Sequence, residues 1–217
     1  YVFFNDSTAL FARFNVRPET VMTQLWHACG AFKTVGFSRL GKTGGPAVTS
    51  KIHKKYTHAI ASSNHVAKFY AEAFGIPESN VYPTGVPRTD IFFDQDYKES
   101  IRKSMYEAFP SAKGKRVILF APTFRGNGAK SAHYPYDKLD FDKLYEVCKK
   151  NNMKVIFKMH PFIKEKPPIT ENQADVFEDM SESREINELL PRCDLVITDY
   201  SSVVYEAALL NKSMLFF

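Results

Sequence analysis

The sequence predicts an α/β protein built twice over, with a cleft between two lobes. Three observations carry that expectation. The run Val117-Ile118-Leu119-Phe120-Ala121 is apolar without interruption, the make-up of a strand buried on both faces. From there to the last residue, strand-like and helix-like stretches alternate, as in a parallel sheet with helical crossovers. Before it, shorter apolar runs are divided by glycine-rich and polar loops. The polar stretch Pro110-Ser111-Ala112-Lys113-Gly114-Lys115 separates the two textures, so the boundary is expected near Ser111, with lobes at 1–110 and 111–217.

In chain order, Val21 to Trp26 reads as a strand that ends at Trp26-His27-Ala28-Cys29-Gly30. The loop Gly41-Lys42-Thr43-Gly44-Gly45-Pro46 is too rich in glycine to be regular. Tyr56 to Ala61 is a second strand. Beyond it Val66, Phe69, Tyr70, Ala73 and Phe74 recur at helical spacing, with Ser63 or Asn64 suited to the N-cap and Gly75 to the stop. Val81-Tyr82-Pro83-Thr84-Gly85 is a short strand and turn, and a helical stretch follows near Tyr97 to Phe109. In the second lobe the expected order is the Val117 strand, an amphipathic helix with Phe141, Leu144, Tyr145 and Cys148 on one side, and the strand Val155-Ile156-Phe157. Then come a short helix around Ile186 to Leu190, the strand Leu195-Val196-Ile197, and a helix from about Ser202 to Leu210. The start at Tyr1 without an initiator Met, and the strand-like ending Met214-Leu215-Phe216-Phe217, suggest a piece of a longer chain.

Composition narrows the function classes. Of 217 residues, 44% are hydrophobic and 24% charged, as in ordinary globular proteins. No apolar run approaches the roughly 18 residues that a membrane-spanning helix needs. The three cysteines, Cys29, Cys148 and Cys193, are odd in number and widely spaced, which argues against a disulfide framework or zinc pattern and for a reducing compartment. Cys29 lies within a motif and is a candidate for either a reactive thiol or a packing residue. The net charge of +5 is unevenly spread. Between Glu19 and Glu72 there is no acidic residue, while Lys33, Arg39, Lys42, Lys51, Lys54, Lys55 and Lys68 fall inside that stretch. Such a one-sign segment suits nucleic acid, an anionic membrane surface or a phosphate-rich substrate, or else is a solvated basic face.

Ligands of open parallel sheets bind at the carboxyl ends of the strands. Three such ends here carry polar side chains. In Ala121-Pro122-Thr123-Phe124-Arg125-Gly126, a hydroxyl and a guanidinium leave the strand together, a set that suits an oxyanion. In Lys158-Met159-His160-Pro161, Lys158 and His160 alternate and reach the same side; the imidazole can donate to a phosphate or hold a proton near neutral pH. In Thr198-Asp199-Tyr200-Ser201-Ser202, paired serines open a helix whose N-terminus favours phosphate, and Glu206 lies one turn on, in reach of ribose hydroxyls. The competing explanations are a capped turn, a turn histidine and a capping box on Ser202. On the other lobe, His27 sits at a strand end before a glycine-containing loop; it is either structural or a general base at the mouth of a cationic channel. Read as lacking both a Gly-x-Gly-x-x-Gly fingerprint and a Walker-type Gly-x-x-x-x-Gly-Lys loop, and with neither His-x-x-x-His nor Cys-x-x-Cys, the chain is expected to use no cofactor, metal or ATPase chemistry. RNA-recognition signatures are lacking too, so nucleic acid is not an expected partner.

Together, five segments resemble the CDP-glycerol glycerophosphotransferase family of teichoic acid primases and polymerases. They are Gln24-Leu25-Trp26-His27-Ala28-Cys29-Gly30-Ala31-Phe32-Lys33, Thr84-Gly85-Val86-Pro87-Arg88-Thr89-Asp90, Ala121-Pro122-Thr123-Phe124-Arg125, Lys158-Met159-His160-Pro161 and Thr198-Asp199-Tyr200-Ser201-Ser202. The resemblance implies a GT-B-like fold of two Rossmann-like lobes, both incomplete in this chain, with an acceptor lobe first and a nucleotide-donor lobe second. His27 matches the family's proposed base and His160 its second essential histidine. Arg125, Ser201, Ser202 and Glu206 match donor-binding positions, and Thr123, Lys158, Asp199 and Arg88 are counted with them. Lys33, Arg39 and Lys42 are expected to meet the acceptor. Where the family commonly has Trp-His-Gly and an Arg before Met-His, this chain has Trp26-His27-Ala28-Cys29-Gly30 and Lys158. The implied reaction moves glycerol phosphate from CDP-glycerol to a lipid-linked teichoic acid acceptor, in the cytoplasm at the inner face of the cell membrane. CDP-ribitol or a nucleotide sugar is the alternative donor.

Overall fold

In the computed structural model, which describes residues 1–43 and 45–217 and the side chains of all of these but Phe11, Arg102, Met105, Tyr106 and Ala108, the chain forms two compact units, Tyr1–Asp90 and Ile91–Phe217. The division falls earlier than the expected Ser111. Phe92 is buried among Leu189, Leu190 and Val196, with Ile91 packed beside it, so the chain joins the second core well before the polar linker.

The first unit is a sheet of four parallel strands in sequence order: β1 (Val2–Phe4), β2 (Met22–Gln24), β3 (His58–Ile60) and β4 (Val81–Tyr82). Between β3 and β4 lies α1 (Asn64–Phe74). Ser63 is its N-cap, its hydroxyl accepting from the Val66 amide at 3.4 Å, and Gly75 ends it in the left-handed region at φ 65°. The apolar stripe of α1, with Val66, Tyr70 and Phe74, is buried against Ala59 and Val81. The β2 strand is shorter than the sequence pattern suggested: Gln24 is its last residue, and Trp26 turns the chain at φ 56°.

The second unit begins with α2 (Gln95–Ala108) and continues through β5 (Arg116–Phe120), α3 (Phe141–Lys150), β6 (Met153–Phe157), β7 (Phe177–Asp179), α4 (Ile186–Leu189), β8 (Leu195–Thr198), α5 (Val203–Leu209) and β9 (Ser213–Phe216). All five strands are parallel, in the order β7-β6-β5-β8-β9. Successive β5 residues feed opposite faces. Val117, Leu119 and Ala121 pack with Ile156, Val196 and Ala207, while Ile118 and Phe120 pack with Val155, Phe157 and Phe177. That two-sided burial is why the run is continuously apolar. Strand order reverses between β5 and β8, and at such a switch point the loops leaving the two strands diverge and open a crevice.

Candidate functional site

The switch point of the second unit is organised around one carboxylate. Asp199, immediately after β8, has a side chain 6% exposed. It accepts from the Thr123 amide at 2.9 Å, from the Thr123 hydroxyl at 3.0–3.1 Å, and from Arg125 Nη1 at 2.8 Å. Arg125 Nη1 also reaches the Thr123 carbonyl at 3.2 Å, and its guanidinium lies 4.8 Å from the Tyr200 ring centre and 5.9 Å from that of Tyr134. Desolvation pulls the Arg125 pKa down, but the hydrogen bond and charge of Asp199 outweigh it and raise the value, so this cation is permanent. The oxygens of Asp199, expected among the donor contacts, accept from Thr123 and Arg125 and so hold these two side chains in place. Thr198, buried, ties the two strand ends through its hydroxyl to the Ala121 carbonyl at 2.7 Å.

After Arg125 the chain loops out and returns, Arg125 and His133 exchanging amide–carbonyl bonds of 2.8 and 3.0 Å. Gly126 is required in this loop. Its φ is 104°, and a Cβ there would lie 2.2 Å from the Ser131 carbonyl oxygen.

At the end of β6, Lys158 and His160 are brought to one cavity of about 500 Å³, also lined by Ser181, Arg184 and Glu185. Lys158 Nζ donates to the Ser181 carbonyl at 2.7 Å. Burial lowers its pKa, opposed by the charges of Glu185, Asp179 and Glu188. Ser181 is fixed further by the Met159 amide, which donates to its hydroxyl at 3.0 Å, and by its own amide, which donates to the Asp179 carboxylate at 3.0 Å. His160 stands between Phe124 and Phe162, with both ring centroids 4.7 Å away. Its Nδ1 accepts the Phe162 amide at 3.1 Å, so the proton of the neutral ring is on Nε2. Phe124 leaves β5 and His160 leaves β6, so this ring contact joins the two strand-end loops.

The paired serines behave differently from a capping box. Ser202 is in helical conformation and its side chain makes no cap bond; Ser201 Oγ accepts from the Val203 amide at 3.4 Å. Glu206, one turn into α5, is 4% exposed.

In the first unit His27 is exposed, at the turn after β2. Its Nδ1 lies 2.8 Å from the Asn5 carbonyl. A carbonyl oxygen only accepts, so Nδ1 carries the proton and the neutral ring presents its lone pair at Nε2. The turn is built by Gln24, buried, whose side chain accepts the Trp26 amide at 2.9 Å and donates to the Asp6 backbone carbonyl at 3.2 Å. The Trp26 ring stacks on His27 at 4.3 Å and meets Phe74 edge-on at 5.5 Å. Arg88, expected on the donor side, lies in this unit and donates to the His27 carbonyl at 2.9 Å. Lys33 and Lys42 are exposed, and Arg39 holds the Thr43 carbonyl at 2.8 Å. Cys29 is buried, which disfavours the reactive-thiol reading; burial raises the pKa of the Cys148 thiol and pushes that of Cys193 up to about 12.

Sequence reasoning missed the partners that fix these groups: Asn5 and Gln24 for His27, Phe124 and Phe162 for His160, and Asp179 and Ser181 for Lys158. It also passed over a coincidence. Gly36-Phe37-Ser38-Arg39-Leu40-Gly41-Lys42-Thr43 has the letters of a phosphate-binding P-loop, contrary to the expectation that ATPase patterns were lacking. A P-loop joins a strand to a helix. Here Gly36–Arg39 is a 3-10 turn against α1, with a Cβ on Gly36 falling 2.0 Å from the Ala73 carbonyl oxygen, and residues 41–43 are a turn. Gly44, part of the glycine-rich loop singled out above, lies outside the described residues.

No helix among the described residues is long and apolar enough to cross a membrane. The sequence matches the family of CDP-glycerol:poly(glycerophosphate) glycerophosphotransferases over residues 1–217. It is 52% identical over its full length to the teichoic acid ribitol-phosphate polymerase TarK of Staphylococcus aureus, of which it covers 42%. It is 50% identical over 216 residues to the teichoic acid poly(ribitol-phosphate) polymerase of Bacillus spizizenii, of which it covers 35%. Among solved structures, the wall teichoic acid polymerase TagF aligns with a TM-score of 0.78 at 20% identity, over 98% of this chain and 53% of that one. That likeness bears on fold, and with the two parallel sheets it agrees with the α/β, GT-B-like class expected from the sequence. The family match spans the whole chain and two relatives share half of its residues: the chain belongs to the CDP-glycerol:poly(glycerophosphate) glycerophosphotransferase family.

Proposed function

We propose that this chain carries the reacting groups of a teichoic acid polyol-phosphate transferase, in which the first unit serves the acceptor and the second the CDP-linked donor. The observation that carries the reading is the opposite arrangement of two histidines. His27 donates a hydrogen bond from Nδ1 to the Asn5 carbonyl and keeps a lone pair at Nε2, as a base needs; His160 accepts at Nδ1 and so carries its proton at Nε2, as a phosphate ligand needs. In the proposed step an acceptor hydroxyl loses its proton to His27 Nε2 and attacks the β-phosphorus of the donor in line. The new O–P bond forms as the bond to the α-phosphate's bridging oxygen breaks, and CMP leaves. Arg125, held by Asp199, together with His160 and the amide end at Ser201 and Ser202, balances the charge on the diphosphate; Lys158 fixes the cavity wall through Ser181. Glu206 and Thr123 complete the donor side, and Arg88 steadies the base through its backbone. The acid-free segment with Lys33, Arg39 and Lys42 faces the polyanionic acceptor and the anionic inner leaflet that holds its lipid anchor.

For the donor, we infer CDP-ribitol in place of the CDP-glycerol expected from the five motifs. The support is that the relatives sharing half of this sequence are named for ribitol phosphate. CDP-glycerol is the second reading, favoured by the family's own description. The test is CMP release from each donor, with and without a lipid-linked polyol-phosphate acceptor. Acceptor-dependent release from CDP-ribitol, well above that from CDP-glycerol, is expected; the reverse preference would restore glycerol, and release from neither would remove the reaction class.

A further inference from the structure

The first unit holds a cavity of about 290 Å³ whose lining, apart from Lys33, has been given no role so far. It lies between the segment that follows the His27 loop and the outer side of α1. Its lining includes Phe32, Lys33, Ser38, Phe69, Tyr70 and Glu72. Phe32 and Phe69, which both line it, are 43% and 40% exposed. Lys68 adds a cation 5.0 Å from the Phe69 ring centre. The cavity is tied directly to the base: Tyr70, which lines it, donates through its hydroxyl to the carbonyl of Ala28, the residue after His27, at 2.8 Å.

The mixture of side chains selects the ligand class. A bare polyanion would be repelled by Glu72, and a hydrocarbon chain would bury Lys33, Ser38 and Glu72 at a cost. A polyol phosphate suits this lining. Its C–H faces lie on phenylalanine rings, its hydroxyls donate to the Glu72 carboxylate and exchange with Ser38, and its phosphodiester meets Lys33. We propose that this cavity is an acceptor subsite that holds the polyol-phosphate unit behind the one whose hydroxyl is attacked. The proposal rests on the transferase reading above and adds where the acceptor chain is gripped. Such a subsite gives a reason for the enzyme to favour an acceptor that already carries more than one unit.

Calorimetric titration of the protein with a two-unit ribitol-phosphate oligomer, without donor, reads this site independently of turnover. Phe69→Ala keeps a good helix former on an exposed position of α1, so folding is retained and a melting curve checks it. The expected result is binding weakened about tenfold in F69A, corresponding to ~1.4 kcal/mol, with a smaller loss in Glu72→Gln and with CDP binding unchanged in both. Equal oligomer binding in wild type and both variants, or none in wild type, overturns the subsite. So does inorganic polyphosphate competing as well as the oligomer, since that would mark a charge-only surface. Failure of CMP release in the donor assay would remove the reaction while leaving this binding result standing, so the two can be told apart.

Discussion

Asp199 shows how single residues set the chemistry of the second unit. Three donors converge on this buried carboxylate, so its charge is balanced and the Arg125 guanidinium is fixed at the strand end. An exposed ion pair contributes little, but here one partner is buried and hydrogen bonded, which strengthens the pair. Asp199→Asn keeps the shape and removes the charge. Arg125 is 32% exposed, and with that discount for solvent the expected loss is about 1–2 kcal/mol in the urea stability of the second unit. Donor binding by the same variant weakens about tenfold or more, because a guanidinium without its anchor no longer waits in place. Unchanged donor affinity would show that Arg125 is oriented by Tyr134 and Tyr200 alone. The same logic separates Lys158 from a simple phosphate ligand. Its ammonium donates to the Ser181 carbonyl, which holds the cavity wall in order.

Among elements, α1 depends on an aromatic cluster that contains a titratable member. His53 is buried among Phe37, Tyr56 and Phe74, and that burial holds its pKa below the ordinary 6.5. The unfolded chain therefore takes up a proton at a pH where the folded chain does not. Stability is unaffected above about pH 6.5, and falls as pH drops from there toward the lowered folded value. Urea midpoints of the first unit should decline across that window in wild type and stay level in His53→Phe; parallel declines in both would place the cause elsewhere.

Elements also show where the sequence was legible. β5 and β6 were readable because two-sided burial leaves continuous apolar runs, and α1 because its stripe, Ser63 cap and Gly75 stop agree. β1 and β7 were not. Each has three residues at a sheet edge, and Phe177-Glu178-Asp179 has no periodicity to read. In the site, Arg125, Lys158, His160 and Asp199 were visible because chemistry at the carboxyl end of a strand stands out from the apolar run before it. Their supports were invisible. Asn5 acts through a carbonyl that every residue has, and Ser181 meets Lys158 only once β6 and β7 pair. The Ser202 capping box failed because local spacing permits a cap without requiring the backbone to adopt it.

Over the whole molecule, each unit gathers its own set of polar groups. The first gathers His27, Asn5, Gln24, Arg88 and the acid-free cationic segment. The second gathers Thr123, Arg125, Asp199, Lys158 and His160 at the carboxyl ends of β5, β6 and β8. The proposed reaction assigns proton removal to the first and diphosphate binding to the second, so the two functions should be separable by substitution. The most direct measurement is His27→Ala assayed twice, for calorimetric binding of the CDP-linked donor and for acceptor-dependent CMP release. Donor binding within about twofold of wild type, with release lowered by about a hundredfold or more, is the predicted result for loss of a general base. Loss of donor binding in that variant would contradict it, and would make His27 a donor ligand.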